Sequence, residues 1–221
     1  MVDKTAEEFK ALGEFAGGDI HIGCAESEGI RHLARRIKGL QEQHPGIRVH
    51  LYSGDTNDLA GRLEQGLLDF AVIAQEVELG KYNYLELPWA DTWGVVMRKD
   101  DPLSEKKSIG TGDLLGRPLI VSRQGLRGDL PRLLGEKADR LNVTATINLT
   151  YNGTLLVREG MGYLLTFDKL ADTSEGSGLC FRPLAPRLET KLYFIWKKYA
   201  VFSPVAEVLL SEMRDHYSTL E

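Results

Sequence analysis

Gly18-Asp19-Ile20-His21-Ile22-Gly23-Cys24-Ala25-Glu26-Ser27-Glu28-Gly29 is the stretch on which the fold turns. Ile20, Ile22 and Cys24 alternate with Asp19, His21 and Gly23, the period of a β-strand. Ile30, Leu33, Ala34, Ile37 and Leu40 follow at i, i+3, i+4, i+7 and i+10, the apolar stripe of an amphipathic helix. Ser27 is placed to cap that helix, its side-chain oxygen accepting from an orphaned backbone N–H. A strand that ends where a helix begins leaves N–H groups and a positive dipole end facing outward. Ligands of open α/β sheets collect at such points.

The same beat repeats. His44-Pro45-Gly46 breaks the helix, and Ile47 to Tyr52 alternates as a second strand. Ser53-Gly54-Asp55-Thr56-Asn57 is a turn with several candidate caps. Leu59, Leu63 and Leu67 predict a second helix, closed by Gly66. Asp69 to Ala74 reads as a buried third strand.

This ordered set, with strands ending Ser-Gly-Asp and a later Gly-Leu-Leu-Asp-Phe-Ala-Val at residues 66–72, resembles the effector-binding domain of LysR-type transcriptional regulators. The resemblance spans about residues 18 to 215. It implies an α/β chain of two Rossmann-like, periplasmic-binding-protein-like lobes joined by two crossover strands. Residues 1–17 are expected as the tail of a linker helix, with Phe9, Leu12 and Phe15 at steps of three. Residues 18–90 and 197–221 are expected as lobe I, and 91–196 as lobe II. In this family the linker helix leads from an N-terminal DNA-binding domain. The resemblance therefore implies an excised regulatory fragment whose Met1 need not be native, with a natural stand-alone protein as the alternative.

Further along, Tyr82 to Leu87 reads as a strand ended by Pro88, and Trp89 to Met97 as the first crossing. Residues 98–110 are charged and read as an exposed loop. Thr111 to Leu115 is a helical turn, and Pro118 to Val121 a strand. Leu126, Leu130, Leu133 and Leu134 form a helix face that Pro131 is expected to split. Val143 to Leu149 is a strand, Tyr151 to Thr154 a corner, Leu155 to Gly160 a short helix, and Gly162 to Phe167 a buried strand. Residues 168–186 read as loop, Leu188 to Trp196 as the return crossing. Ser203-Pro204 opens a last helix that buries Val205, Leu209, Met213 and Tyr217. Two lobes sharing two crossovers permit hinge motion around a cleft.

The strand-to-helix corners supply the candidate site: Glu26 and Ser27, Ser53 and Thr56, Gln75, then Ser122, Arg123 and Gln124, then Asn152 and Thr154, and Thr166 with Phe167. Helix N-termini and hydroxyls can hold a carboxylate, and Arg123 adds a bidentate fork. Family resemblance implies that effectors lie between the lobes near these positions. Simple helix capping is the alternative for Ser27, Thr56 and Thr154, and an exposed loop charge for Arg123. Glu26 and Glu28 would repel an anion unless turned away, or would favour an amine or hydroxyl.

Composition narrows the partners. The 221 residues carry a net charge of −5, which disfavours nucleic-acid binding through this chain's own surface. No signal peptide is visible, and no run approaches the roughly 20 apolar residues that span a bilayer. Cys24 and Cys180 read as reduced thiols: Cys24 as a small buried core residue, with a redox role at the helix N-terminus as the alternative, and Cys180 in a loop-to-strand region with no evident partner. The five histidines show neither metal spacing nor a carboxylate pattern. Asp55-Thr56-Asn57-Asp58 fails as a calcium loop, because Leu59 replaces the fifth ligand. No nucleophile elbow, Walker loop or dinucleotide fingerprint appears, so neither cofactor nor metal is expected, and binding is favoured over catalysis.

The expectation is a cytoplasmic sensing domain, with a small organic acid or amino acid as effector and no membrane partner. It is expected to form homodimers, and tetramers at full length, and to meet DNA only through the absent N-terminal domain. The basic face of Arg31, Arg35, Arg36 and Lys38 is a candidate subunit contact, with a solvated face as the alternative. A solute-binding protein of transport and an enzyme on the same scaffold are the competing readings.

Overall fold

A computed structural model describes residues 17–74 and 79–217. Of the expected linker-helix tail at residues 1–17, residues 1–16 lie outside the described residues. β1 (Gly18–Cys24) runs parallel to β2 (Ile47–Ser53) and to β3 (Phe70–Ala74), with α1 (Ile30–Gln43) and α2 (Thr56–Glu64) as the crossovers. On α1, Leu33 and Leu40 are buried and Ile30 and Ile37 half-buried, but Ala34 is exposed, so the buried stripe is narrower than its spacing suggests. Gly29, not Ser27, is the N-cap of α1. The Ser27 hydroxyl instead accepts the Gly29 N–H at 2.8 Å, closing the turn before the helix. Asp55 caps α2 by accepting the Asp58 N–H at 3.0 Å. Leu59 and Leu63 are buried, whereas Leu67 lies past the helix end and is exposed. Gly66, at φ +71°, supplies the left-handed turn there.

β10 (Glu189–Lys197) lies antiparallel between β3 and β4 (Tyr82–Arg98). Pro88 does not end a strand: β4 runs through it for 17 residues. The reason is a bulge. Register shifts between Lys191 and Tyr193, so Leu192 alone faces Leu87, Pro88 and Trp89. A proline without an N–H is accommodated where the ladder is already interrupted. Beyond the bulge β4 leaves the first sheet and enters the second. There it pairs with β8 (Tyr163–Phe167) on one side and β9 (Leu179–Ala185) on the other. β6 (Pro118–Ser122) runs parallel to β8 and to β7 (Asn142–Ile147), and the short β5 (Ile109–Gly110) adds to β9 ahead of α3 (Thr111–Leu114).

Three further expectations are corrected in this second half. The 168–186 stretch is not all loop, because β9 lies within it. The Leu126–Leu134 helix is split at Gly128, not Pro131, into α4 (Arg123–Arg127) and α5 (Asp129–Leu134). Pro131 sits in the first turn of α5, where its missing N–H has no partner to lose. Residues 151–154 are not a corner but the first turns of α6 (Thr150–Arg158). The closing helix α7 (Pro204–Tyr217) buries Val205, Leu209, Met213 and Tyr217 as its spacing predicts.

The core falls into two regions. Around the first sheet, Ile20, Phe70, Phe194 and Leu209 pack under α1 and α7, and Leu59, Ile73 and Ile195 under α2. Around the second, Val95, Leu119, Leu165 and Leu184 pack on one face, and Val96, Ile120, Val157 and Leu164 on the other. Each fully buried aliphatic side chain stabilises by about 1.5–3 kcal/mol, so each lobe has an apolar interior of its own. No helix of the described residues is long and apolar enough to cross a membrane.

Candidate interlobe ligand site

The parallel strands of both sheets end at one cleft. Ala25 and Glu26 follow β1, Gly54 and Asp55 follow β2, and Ala74 ends β3. Across from them, Ser122 to Gly125 follow β6, Ile147 and Asn148 end β7, and Leu165 to Phe167 end β8. This is the carboxyl-end position where open α/β sheets hold ligands. The cleft is open at its mouth, and the empty space between its walls, solvent at the mouth included, is about 580 Å³.

Trp93 of β4 lies against the floor. Its indole N–H donates to Asp129 Oδ2 at 3.1 Å and to Thr190 Oγ1 at 2.9 Å, and its ring meets Phe167 edge-on at 4.6 Å. Asp129 is itself fixed by Thr190 Oγ1 at 2.7 Å and Arg132 at 2.9 Å. The floor is therefore apolar on its surface and pinned from behind. A β-carbon at Gly125 would stand 2.9 Å from the Trp93 ring, so α4 approaches it as closely as only glycine allows.

Two bridges cross the cleft. The Gln124 side chain, on α4, accepts the Thr56 N–H at 3.0 Å and donates to Thr56 Oγ1 at 2.7 Å and to Ala74 O at 2.6 Å. The Glu26 carboxylate accepts the Thr150 N–H at the start of α6. Thr150 and Thr166 join their hydroxyls at 2.8 Å beside it. Arg123 is exposed and has no ion pair among the described residues.

Of the predicted positions, Glu26, Ser122, Arg123, Gln124, Thr166 and Phe167 line the cleft. Thr56 is buried behind its rim and reaches it through Gln124. Ser27 and Ser53 do not line it: Ser27 is spent on the Gly29 N–H and Ser53 is exposed at the strand end. Asn152 and Thr154 are carried away by the early start of α6. Asn152 is exposed, and the buried Thr154 hydroxyl donates to Tyr151 O at 2.7 Å. Gln75 lies outside the described residues. Sequence reasoning missed Trp93, Asn148 and Thr150. The residue pair Asn148–Leu149 directly after β7 was the signal available, since it marks the strand-to-helix corner.

Elsewhere, Cys24 and Cys180 are buried in different cores, and burial pushes the Cys24 thiol up to about 12. His50 does have a carboxylate neighbour, contrary to the sequence reading. Asp19 contacts His50 Nε2 and accepts from Arg48 Nε, both at 2.9 Å, and His21 stacks on His50 at 4.7 Å. The group lies on the exposed face of β1 and β2, away from the cleft. No three His, Cys, Asp or Glu side chains among the described residues stand close enough to hold a metal ion.

Two wound lobes, a double crossing and a cleft at the strand ends define a two-lobed domain of the periplasmic-binding-protein-like class. The chain belongs to the LysR substrate binding domain family, whose profile matches residues 14–218. It is 29% identical over 157 residues to the HTH-type transcriptional regulator YtlI of Bacillus subtilis, covering 68% of this chain and 49% of that protein. It is 26% identical over 114 residues to the dual regulator OxyR of Escherichia coli, covering 51% of this chain and 37% of that protein. The match thus spans half or less of the length of these relatives. Among solved structures, the effector binding domain of QuiR in complex with shikimate superposes with a TM-score of 0.79 at 16% identity, covering 92% of this chain and 99% of that one. The CcmR regulatory domain of Synechocystis in complex with 2-PG gives 0.74 at 16% identity over the same shares. At these identities the likeness is one of fold.

Proposed function

We propose that this chain is the effector-sensing domain of a LysR-type transcriptional regulator acting in the cytoplasm. A small organic acid or amino acid enters the cleft and biases the arrangement of the lobes. That bias alters the geometry of a homodimer or tetramer, and with it DNA-binding domains belonging to the full-length protein. The observation that carries this reading is the cleft itself, where polar side chains from both lobes converge over a rigid apolar floor. Domains of the same fold hold shikimate and 2-PG. Binding rather than turnover is favoured because the lining carboxylates and hydroxyls are taken up in structural contacts: Glu26 accepts the Thr150 N–H, Asp55 and Ser122 cap helices, and Thr150 and Thr166 bond each other.

We take lobe I as 18–90 together with the chain's return, and lobe II as the segment between. The packing of Leu192, Phe194 and Trp196 in the first core supports drawing the return boundary nearer residue 191 than 196. The basic face of α1 is a candidate subunit contact, although much of it is neutralised within the chain: Arg31 pairs with Glu28, Arg36 with Glu212 and Lys38 with Glu42.

Moving a two-state equilibrium from 1:99 to 99:1 takes about 5.5 kcal/mol of differential binding. A few cleft hydrogen bonds at about 1 kcal/mol each give a partial shift instead. The test is a thermal-shift screen of carboxylates, amino acids and aromatic acids, with backbone amide shifts to locate each hit. A ligand at 100 times its dissociation constant adds about 2.7 kcal/mol. Stabilisers whose perturbations all fall outside the cleft overturn the reading.

A further inference from the structure

At each helix N-terminus on the cleft rim, at least one free amide is already taken by an acceptor from the chain. Three helices begin on its rim, and each N-terminus has an acceptor supplied by the chain. Ser122 Oγ accepts the Gly125 N–H of α4 at 3.0 Å. Asp55 accepts the Asp58 N–H of α2, and Gln124 Oε1 accepts the Thr56 N–H of the same helix. On α6 the N-cap Leu149 has no side-chain acceptor to offer. Glu26 crosses from the opposite lobe to fill that place at Thr150. A carboxylate at a helix N-terminus is the favoured occupant of such a position. Here the protein provides its own.

The charges left facing the cavity are Glu26 and Asp55 on one wall and Arg123 on the other. The described lining thus carries one more negative than positive charge, and its one cation has no ion pair among the described residues. A simple carboxylic acid entering would add to the excess and would have to evict Glu26 to reach the α6 amides. A ligand carrying both an ammonium and a carboxylate group, as an α-amino acid does, offers a partner to each wall without displacing either bridge.

Taking the cleft as the effector site, as proposed above, we infer that it selects a zwitterionic, amino-acid-like ligand, with Glu26 the residue that sets the preference for an ammonium group and Arg123 the partner of the ligand carboxylate. The geometry deepens the proposed function by choosing between its two ligand classes.

The experiment pairs each of a set of amino acids with its deaminated acid, such as leucine with 4-methylpentanoate and phenylalanine with 3-phenylpropanoate. Binding is followed by amide chemical shifts of the whole chain and by calorimetry, for the native protein and for Glu26→Gln. Glutamine keeps an acceptor for the Thr150 N–H, so the bridge and the fold persist while the charge is lost. The expected result is that amino acids move the Thr150, Gln124 and Thr166 amides and bind about tenfold tighter than their deaminated partners, a preference that collapses in Glu26→Gln. Deaminated acids that bind equally well or better, moving Thr150 as they take the helix terminus from Glu26, overturn the inference and leave the cleft as the effector site. Panels in which both classes bind yet neither moves a cleft amide overturn the cleft reading with it.

Discussion

Gln124 and Thr56 stand on opposite walls of the cleft and engage each other twice, the Gln124 amide oxygen taking the Thr56 N–H at 3.0 Å and its nitrogen reaching the Thr56 hydroxyl at 2.7 Å. A third bond, to Ala74 O at 2.6 Å, makes the side chain a clasp between the lobes. Replacing it with alanine leaves those partners to solvent. Gln124→Ala is expected to release about 1–3 kcal/mol of interlobe stabilisation. Hydrogen exchange at the Thr56 amide should quicken accordingly, and the radius of gyration from X-ray scattering should grow. Unaltered protection and an unaltered radius would remove the clasp.

Arg123 is exposed at the cleft and joins no ion pair among the described residues. Its loss should leave the fold within about 0.5 kcal/mol of native stability. Affinity for a carboxylate-bearing ligand should fall by about 1.5–3 kcal/mol, the worth of a hydrogen bond to a charged group. Calorimetry on a folded Arg123→Ala variant checks this, and equal affinity takes Arg123 out of the site.

Asp91 sits on β4 where it crosses between the lobes, opposite Thr190 of β10, and is 3% exposed. One carboxylate oxygen accepts the Trp89 indole N–H at 2.9 Å, and the other has no hydrogen-bond partner. Burial holds its pKa above the ordinary 3.8, with Glu28 adding to the rise, against the lowering effect of Ser27, Trp89 and Lys169. The folded state therefore keeps the proton longer than the unfolded state. This group's contribution is most favourable at low pH and is lost as pH rises from 3.8 through the raised value. Urea melts of native protein and Asp91→Asn should converge near the low end of that window and diverge above it, the variant being the more stable at neutral pH. A difference that does not vary with pH would contradict the assignment.

Two glycines predict opposite outcomes. A β-carbon on Gly94 would lie 2.1 Å from the Phe181 ring and 2.5 Å from Arg182 O, where β4 and β9 pair. Gly94→Ala must shift backbone and should cost about 1–3 kcal/mol or more. Gly39 lies inside α1 with nothing within 4 Å of the added carbon. Gly39→Ala should stabilise by roughly 0.5–1 kcal/mol. Denaturant midpoints of the two variants decide both.

Cys24, with its thiol pushed up to about 12, is overwhelmingly protonated at neutral pH and buried. Cys180 is raised by burial as well, and it packs in the other core. Iodoacetamide should label both far more slowly in the folded chain than after denaturation. Mass spectrometry after peroxide treatment should find no internal disulfide. A Cys24–Cys180 bridge in the folded chain would overturn this packing.

Strand and helix succession was legible because each element carries its own period. Ile20, Ile22 and Cys24 alternate, and Leu59 and Leu63 lie one turn apart. What failed was governed by partners distant in sequence. Pro88 looks like a strand terminator until Leu192 is known to oppose it in a bulge. Ser27 is a good cap by residue type, yet the chain turns once more and spends it on Gly29. The site was legible as a set of corners, since parallel strands must deliver their carboxyl ends to one side. Which corner residues face inward was not. Thr150 enters because α6 starts earlier than its apolar residues suggest, and that same early start carries Asn152 and Thr154 away. The Glu26–Thr150 bridge joins residues 124 positions apart, and no local pattern encodes it.

β4 and β10 lie side by side and hydrogen-bonded along most of the passage between the lobes. They form a single ribbon, not two independent tethers. A two-stranded ribbon flexes across its plane and twists about its long axis, but resists splaying edgewise, because edgewise motion must break the ladder. Relative motion of the two lobes is therefore expected as bending and twisting of this ribbon rather than as sliding of one strand past the other.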